Sequence, residues 1–249
     1  LVFVRPFAYS LAHLEAARKV GATGFLPRTT PEECLVDDAA AHLLHTVGTR
    51  VPLSRAFHRV AKANGVSLPQ GLFAGLTADL NLIASAPHLL PRWLEMPDGH
   101  QVVGPVYANL PGEVPEFVTD LAAGPKPLVY FAVGSSGNRD LVLDVLRGLG
   151  RADCQVLAPV RSHLYQEDLE TLPLNVHVTD WIPTHQLGDA VDLAITHGGE
   201  GTVQTSCVQG WPFIGIPLQF EQRFNVQRCV AFGSARLVSQ KEARRADWA

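Results

Sequence analysis

The run DLAITHGGEGT, residues 192–202, carries the residue types most suited to holding an anion. An apolar stretch delivers His197 to the mouth of a following helix. Gly198 and Gly199 leave backbone N–H groups uncovered, and Thr202 adds a hydroxyl in the first turn. A helix N-terminus favours negative charge, so these groups suit a phosphate or diphosphate, to which an imidazole can add a hydrogen bond or a charge. The competing reading is a strand-end histidine in a purely structural role. A second run, VYFAVGSSG at residues 129–137, breaks from apolar residues into Gly134, Ser135, Ser136 and Gly137. Small residues there let backbone amides approach an anion, although Gly and Ser also form plain turns.

Two further stretches have polyol or base chemistry. In GIPLQFEQRFN, residues 215–225, a proline turn precedes Glu221, Gln222 and Asn225. A carboxylate beside a carboxamide can accept and donate hydrogen bonds to the vicinal hydroxyls of a sugar, while a solvated helix face explains the same pair more plainly. In TDWIP, residues 179–183, Trp181 can pack on a flat base while the backbone at Ile182 reads its edge. A core tryptophan is the alternative.

These stretches need strands and helices to present them, and the chain supplies that rhythm. Short apolar runs alternate with helical stretches of about a dozen residues, as βαβ units of a mostly parallel sheet require. The fold class is α/β. In the first half, strands are expected at residues 1–4, 78–85 and 101–106, with helical stretches at 11–20, 37–47 and 53–64. Between residues 105 and 127 the chain carries Pro105, Pro111, Pro115, Pro125 and Pro127, which predicts a linker with a short helix at 116–123. A second set follows, with helices at 139–149, 185–190, 201–209 and 222–232 between strands.

The order and spacing of the motifs resemble the GT-B nucleotide-sugar glycosyltransferases, the superfamily of UDP-glycosyltransferases and bacterial macrolide or antibiotic glycosyltransferases. The resemblance rests on WIPTHQLGDAVDLAITHGGEGTVQT and GWPFIGIPLQFEQRFNVQRCVAFGSARLV and spans residues 127–238. It implies two Rossmann-like domains with mostly parallel sheets, the first incomplete. Their expected bounds are an acceptor domain at 1–110, a linker at 111–126 and a donor domain at 127–249. It also implies roles. Trp181 and Ile182 flank the base, His197, Gly198, Gly199 and Thr202 hold the diphosphate, and Glu221 and Gln222 contact the donor sugar. Asn225 falls near the phosphates, and Gly134, Ser135 and Ser136 form the loop after the domain's first strand. Thr184 and Thr205 stand where the family often has Gln and a ribose-binding Glu.

The implied reaction is inverting transfer of a hexose from a UDP- or dTDP-sugar to a small hydroxylated acceptor, with His197 stabilising the leaving diphosphate and no metal or other cofactor. The family's general base lies in a Gly-rich loop that has no counterpart here. The chain opens at Leu1 inside an apolar run and closes on polar residues at Ala249, so it reads as a piece of something longer. A donor-binding module without turnover is the alternative, as is a GT-B-fold epimerase, for which no extra carboxylates are evident.

Bulk properties exclude other classes. A net charge of −4 gives no basic field for nucleic acid. No apolar run reaches the ~18 residues of a membrane span. Cys34, Cys154, Cys207 and Cys229 show no CxxC spacing, which points away from structural zinc and toward a reducing cytoplasm. His42 and His45 have metal-compatible spacing, but no nearby carboxylate or cysteine completes a ligand set. His163 and His185 are placed to approach the donor pocket.

Overall fold

The computed structural model describes residues 2–5, 39, 42–43, 46–48, 50–68, 71, 78–90, 95–107, 109, 111–246 and 248. By contacts the chain divides into two compact units, Leu1–Val106 and Tyr107–Ala249. In the first unit, strands β1 (Val2–Arg5), β2 (Leu80–Ile83) and β3 (His100–Val102) form a parallel sheet in the order β1-β2-β3. Helix α1 (Arg55–Ala63) occupies the stretch expected at 53–64. The helix expected at 37–47 is helical at each described position from 39 to 48, and the stretch at 11–20 lies outside the described residues.

The second unit is built on six parallel strands. They are β4 (Leu128–Ala132), β5 (Gln155–Ala158), β6 (Val176–Val178), β7 (Leu193–Thr196), β8 (Phe213–Gly215) and β9 (Ala235–Leu237). Their order is β6-β5-β4-β7-β8-β9. Every residue of β4 is buried, because a central parallel strand is covered on both faces and so reads as an unbroken apolar run. Its first peptide is fixed by the Asp192 carboxylate, which accepts from the Leu128 N–H at 2.7 Å.

Helices α2 (Glu116–Ala122), α3 (Arg139–Leu149), α4 (Gln166–Leu169), α5 (Glu200–Gln209), α6 (Phe220–Ala231) and α7 (Gln240–Ala243) complete the unit. Helix α3 starts where the Asn138 side chain accepts from the Leu141 N–H at 3.0 Å, a side-chain N-cap. It then buries Leu141, Val142, Val145, Leu146 and Leu149, one apolar stripe at helical spacing, against β4 and β5.

One element differs from the sequence expectation. Residues 185–190 form no α-helix but two 3-10 turns, Thr184–Gln186 and Gly188–Ala190. Gly188 adopts φ +51°, which breaks the helical path between them. The segment is instead tied to α5 and its C-terminal turn: Gln209 donates to the His185 carbonyl at 3.1 Å, and Trp211 Nε1 donates to the Gly188 carbonyl at 2.8 Å.

The strand order decides where a ligand can sit. From β4 the chain steps outward to β5 and β6, then crosses back to β7 on the other side of β4. Adjacent strands whose connections diverge leave a crevice beyond their carboxyl ends, the site where ligands bind in open α/β sheets. That crevice lies between the ends of β4 and β7, where Ala132 is in register with Thr196.

Candidate functional site: the crevice at the ends of β4 and β7

Two glycine-containing turns meet at this crevice. After β4, a 3-10 turn runs over Gly134–Ser136, with Gly134 at φ +53°. After β7 come His197, then Gly198 at φ +86°, then Gly199 as N-cap of α5. The His197 N–H donates to the Ala132 carbonyl at 3.3 Å, extending the β4–β7 ladder by one residue and seating the histidine at its end. Its ring lies between glycines: a Cβ built on Gly134 would fall 2.9 Å from His197 Cε1, and one on Gly199 2.5 Å from Nε2. A side chain at either position would displace the imidazole.

His197 is 8% exposed, and among the described residues its one side-chain hydrogen bond is at the outer limit, Thr196 Oγ1 at 3.5 Å from Nδ1. Burial lowers its pKa below the usual histidine value, opposed in part by the Ala132 backbone. At neutral pH the ring is therefore uncharged, with one nitrogen able to donate a hydrogen bond and the other able to accept one. The α5 N-terminus beside it has no side-chain cap, since Gly199 supplies none. The first-turn N–H groups of α5 are thus left without a capping side chain, as an anion site requires. Thr202 stands in this first turn, and its hydroxyl has no partner among the described residues. The carboxylate of Glu200, which would oppose an anion here, accepts from Gln204 at 2.6 Å.

Helix α6 closes the back of the site. Side chains at Gly198 and Gly215 would run into Val226, and one at Gly198 would also meet the Gln222 carbonyl. Asn225 bridges the two elements: its Nδ2 donates to the Gly198 carbonyl at 3.1 Å and to Glu221 Oε1 at 2.9 Å. Glu221 and Asn225 are 6% and 4% exposed, so this pair is a buried brace. Gln222 is also committed internally. Its Oε1 accepts from the N–H groups of Leu218 and Gln219 at 2.9 and 3.0 Å, and its Nε2 donates to Ser136 Oγ at 3.1 Å. It therefore caps α6 and straps the β4 loop to it, with Gln219 adding a second bond to Ser136 at 3.3 Å.

Of the residues singled out in the sequence, direct contacts join Gly134, Ser136, His197, Gly198, Gly199, Glu221, Gln222 and Asn225 into one cluster. Ser135 is exposed beside it, with no partner for its hydroxyl among the described residues. Trp181 and Ile182 form a separate patch. Trp181 is 53% exposed, and Gly112 packs against its ring, a Cβ there falling 3.1 Å from Cζ3. Gln186 holds that glycine by donating to its carbonyl at 3.0 Å. The Ile182 side chain is buried, while neither its N–H nor its carbonyl takes part in a hydrogen bond among the described residues. An exposed indole beside a free donor and a free acceptor suits a flat heterocycle with complementary edge groups.

His163 was one of two histidines placed near the pocket by sequence, and the structure separates them. His163 reaches the Gly134 carbonyl at 2.7 Å, whereas His185 lies in the turn packed against α5. Gln219 and the Glu200–Gln204 pair carried no sequence signal, since each contributes a hydrogen bond and no motif. Among the described residues no three His, Cys, Asp or Glu side chains converge as a metal site, and no helix is long and apolar enough to cross a membrane. His45 lies outside the described residues, and His42 is exposed.

A six-stranded parallel sheet with a crevice at its switch point defines the class: a Rossmann-like α/β domain of the GT-B type. Residues 143–247 match the family described as "Erythromycin biosynthesis protein CIII-like, C-terminal domain". The chain belongs to the GT-B superfamily that contains the macrolide and antibiotic glycosyltransferases. It is 30% identical over 171 residues to a PGL/p-HBAD biosynthesis rhamnosyltransferase of Mycobacterium bovis, covering 66% of this chain and 37% of that protein. It is 32% identical over 197 residues to 4'-demethylrebeccamycin synthase of Lentzea aerocolonigenes, covering 73% of this chain and 45% of that protein. The chain thus spans less than half the length of these relatives. The fold is shared with glycosyltransferase VinC in complex with DTDP, at TM-score 0.57 and 19% identity over 84% of this chain and 53% of that one. It is shared also with the glycosyltransferase of kitacinnamycin, at TM-score 0.58 and 19% identity over 96% and 56%.

Proposed function

We propose that the protein to which this chain belongs transfers a hexose from a UDP- or dTDP-sugar to a small hydroxylated natural product, with inversion at the anomeric carbon. The observation that carries the reading is the uncapped N-terminus of α5, with the neutral His197 imidazole held beside it between Gly134 and Gly199. These groups are hydrogen-bond donors fixed before any ligand arrives. In a direct displacement the acceptor hydroxyl gives its proton to a general base, and its oxygen bonds to the anomeric carbon as the bond to the diphosphate oxygen breaks. Negative charge then grows on that diphosphate. Donors already aimed at it stabilise the transition state more than the ground state, the usual source of large rate effects in such sites.

His197, Gly198, Gly199 and Thr202 hold the diphosphate, with Gly134, Ser135 and Ser136 on its opposite side. Trp181 stacks on the base, and the free backbone groups of Ile182 pair with its imide edge. Glu221 faces the sugar end, with Asn225 and Gln222 holding that end of α6 in place. The neutral donors take the role a metal ion fills elsewhere, so transfer proceeds in the presence of a chelator. Names of relatives support the substrate class: one is a rhamnosyltransferase, one a 4'-demethylrebeccamycin synthase, and one structural neighbour is in complex with DTDP.

A crystal of the chain grown with dTDP or UDP tests the reading. Phosphates within hydrogen-bonding reach of the Gly199–Thr202 amides support it. Phosphates bound elsewhere, with this turn empty, refute it.

A further inference from the structure

The geometry points to His163 as a positioning residue that latches the Gly134–Ser135 peptide so that its N–H, and not its carbonyl, faces the diphosphate. The inference rests on the donor-site reading above. His163 ends the 3-10 turn Arg161–His163 that follows β5, and its Nε2 lies 2.7 Å from the Gly134 carbonyl oxygen. A carbonyl can only accept, so Nε2 carries the proton in this bond. In the sheet, β5 lies on one side of β4 and β7 on the other. The bond therefore turns the Gly134 carbonyl toward the β5 side. Because a trans peptide is planar, its N–H points opposite to its C=O. The Ser135 N–H is thereby aimed toward the β7 side, where His197 and the α5 N-terminus stand.

A latch is needed at this position because its backbone is soft. Gly134 sits at φ +53°, and glycine populates both hands of backbone space with little cost. Rotation of the one peptide would exchange N–H for C=O and set an acceptor oxygen against a dianionic ligand. Neighbours hold the loop at other points but not at this peptide plane: Gln222 and Gln219 hold the Ser136 hydroxyl, and the His197 ring abuts the Gly134 α-carbon. The mount that carries His163 is itself fixed. The His163 N–H donates to the Val160 carbonyl at 2.9 Å and the Arg161 N–H to the Thr179 carbonyl at 3.1 Å. The Arg139 guanidinium grips Asp168 just beyond, with Nε to Oδ2 at 2.8 Å. His163 bonds the Gly134 carbonyl itself, so it acts through the peptide it holds.

The test compares wild type with His163→Leu and His163→Gln, using thymidine and dTDP as probes in calorimetry, and a thermal melt to establish folding. Glutamine retains an N–H donor of similar reach, whereas leucine keeps bulk and loses the bond. The expected result is a Kd for dTDP weaker by about tenfold in His163→Leu, the loss of roughly one hydrogen bond to a charged group. Thymidine, which stops short of this loop, binds all three proteins alike, and His163→Gln recovers most of the dTDP affinity. In ¹⁵N spectra, dTDP moves the Ser135 amide of wild type and leaves that of His163→Leu in place. Unchanged dTDP affinity in His163→Leu overturns the latch, as does equal loss of thymidine and dTDP, or a glutamine variant no better than leucine. Wild type that binds thymidine but gains nothing from the diphosphate overturns the donor-site reading itself.

Discussion

Replacing His197 by alanine separates what the imidazole does for a ligand from what it does for the fold. The ring is 8% exposed and has only a marginal polar contact, at 3.5 Å from Thr196, so its removal costs the apoprotein mainly packing. Loss of one buried side chain of this size into a gap flanked by glycines costs about 2 kcal/mol. In the complex the ring donates to a diphosphate oxygen, a charge-assisted bond with a net contribution of about 1.5–3 kcal/mol. The Kd for dTDP or UDP is therefore expected to weaken by roughly 10- to 150-fold. Thymidine binding changes little, because among the described residues no hydrogen bond joins Trp181 or Ile182 to the His197 cluster. Calorimetry with the diphosphate and the nucleoside, beside urea unfolding, reads all three quantities. His177→Ala is the control, since His177 pairs with Gln155 at 2.9 Å out on β5 and β6. Wild-type affinity for the diphosphate in folded His197→Ala would refute the role of the ring. Equal losses for nucleoside and diphosphate would refute the division into two patches.

Three other outcomes are expected. Trp181→Ala should weaken thymidine and dTDP by the same factor, about 5- to 150-fold, because stacking on one aromatic is worth about 1–3 kcal/mol per base; quenching of indole fluorescence on titration of wild type gives an independent reading, and unequal losses would contradict it. Gly198→Ala should destabilise the chain by about 2–5 kcal/mol in urea unfolding, from left-handed strain at φ +86° and the collision with Val226 and the Gln222 carbonyl. Stability should also fall in mild acid through His197: burial lowers its folded pKa below 6.5, so the unfolded chain binds the proton first, and the contribution present above 6.5 is lost as pH drops through the lowered folded value. His197→Gln should flatten that dependence, while His177, shifted in the same direction, stays in both proteins and cancels.

Much of the donor-side architecture can be read before folding. LVYFA announces a strand, and His-Gly-Gly announces a helix start with uncovered backbone donors. Both features are local, and both appear where expected. The stretch at 185–190 fails for a local reason as well, since Gly188 takes a backbone hand that helical spacing does not reveal. The working partners of the motif residues are a different matter. Gln222 looks from sequence like a sugar ligand, yet its amide bonds Ser136, 86 positions away. Asn225 meets the Gly198 carbonyl across 27 positions, and His163 meets Gly134 across 29. Such pairs are set by strand order, and no residue type or spacing in one stretch encodes them.

The seat of α6 has a practical consequence for chimeras. Val226 rests on two glycines from different strands, Gly198 after β7 and Gly215 at the end of β8, so that helix and those turns form a matched set. Grafting residues 219–231 from a relative with another sugar preference, without both turns, would wedge the helix outward and spoil phosphate and sugar contacts together. Productive crossovers fall before Asp192, where the whole set travels as one cassette.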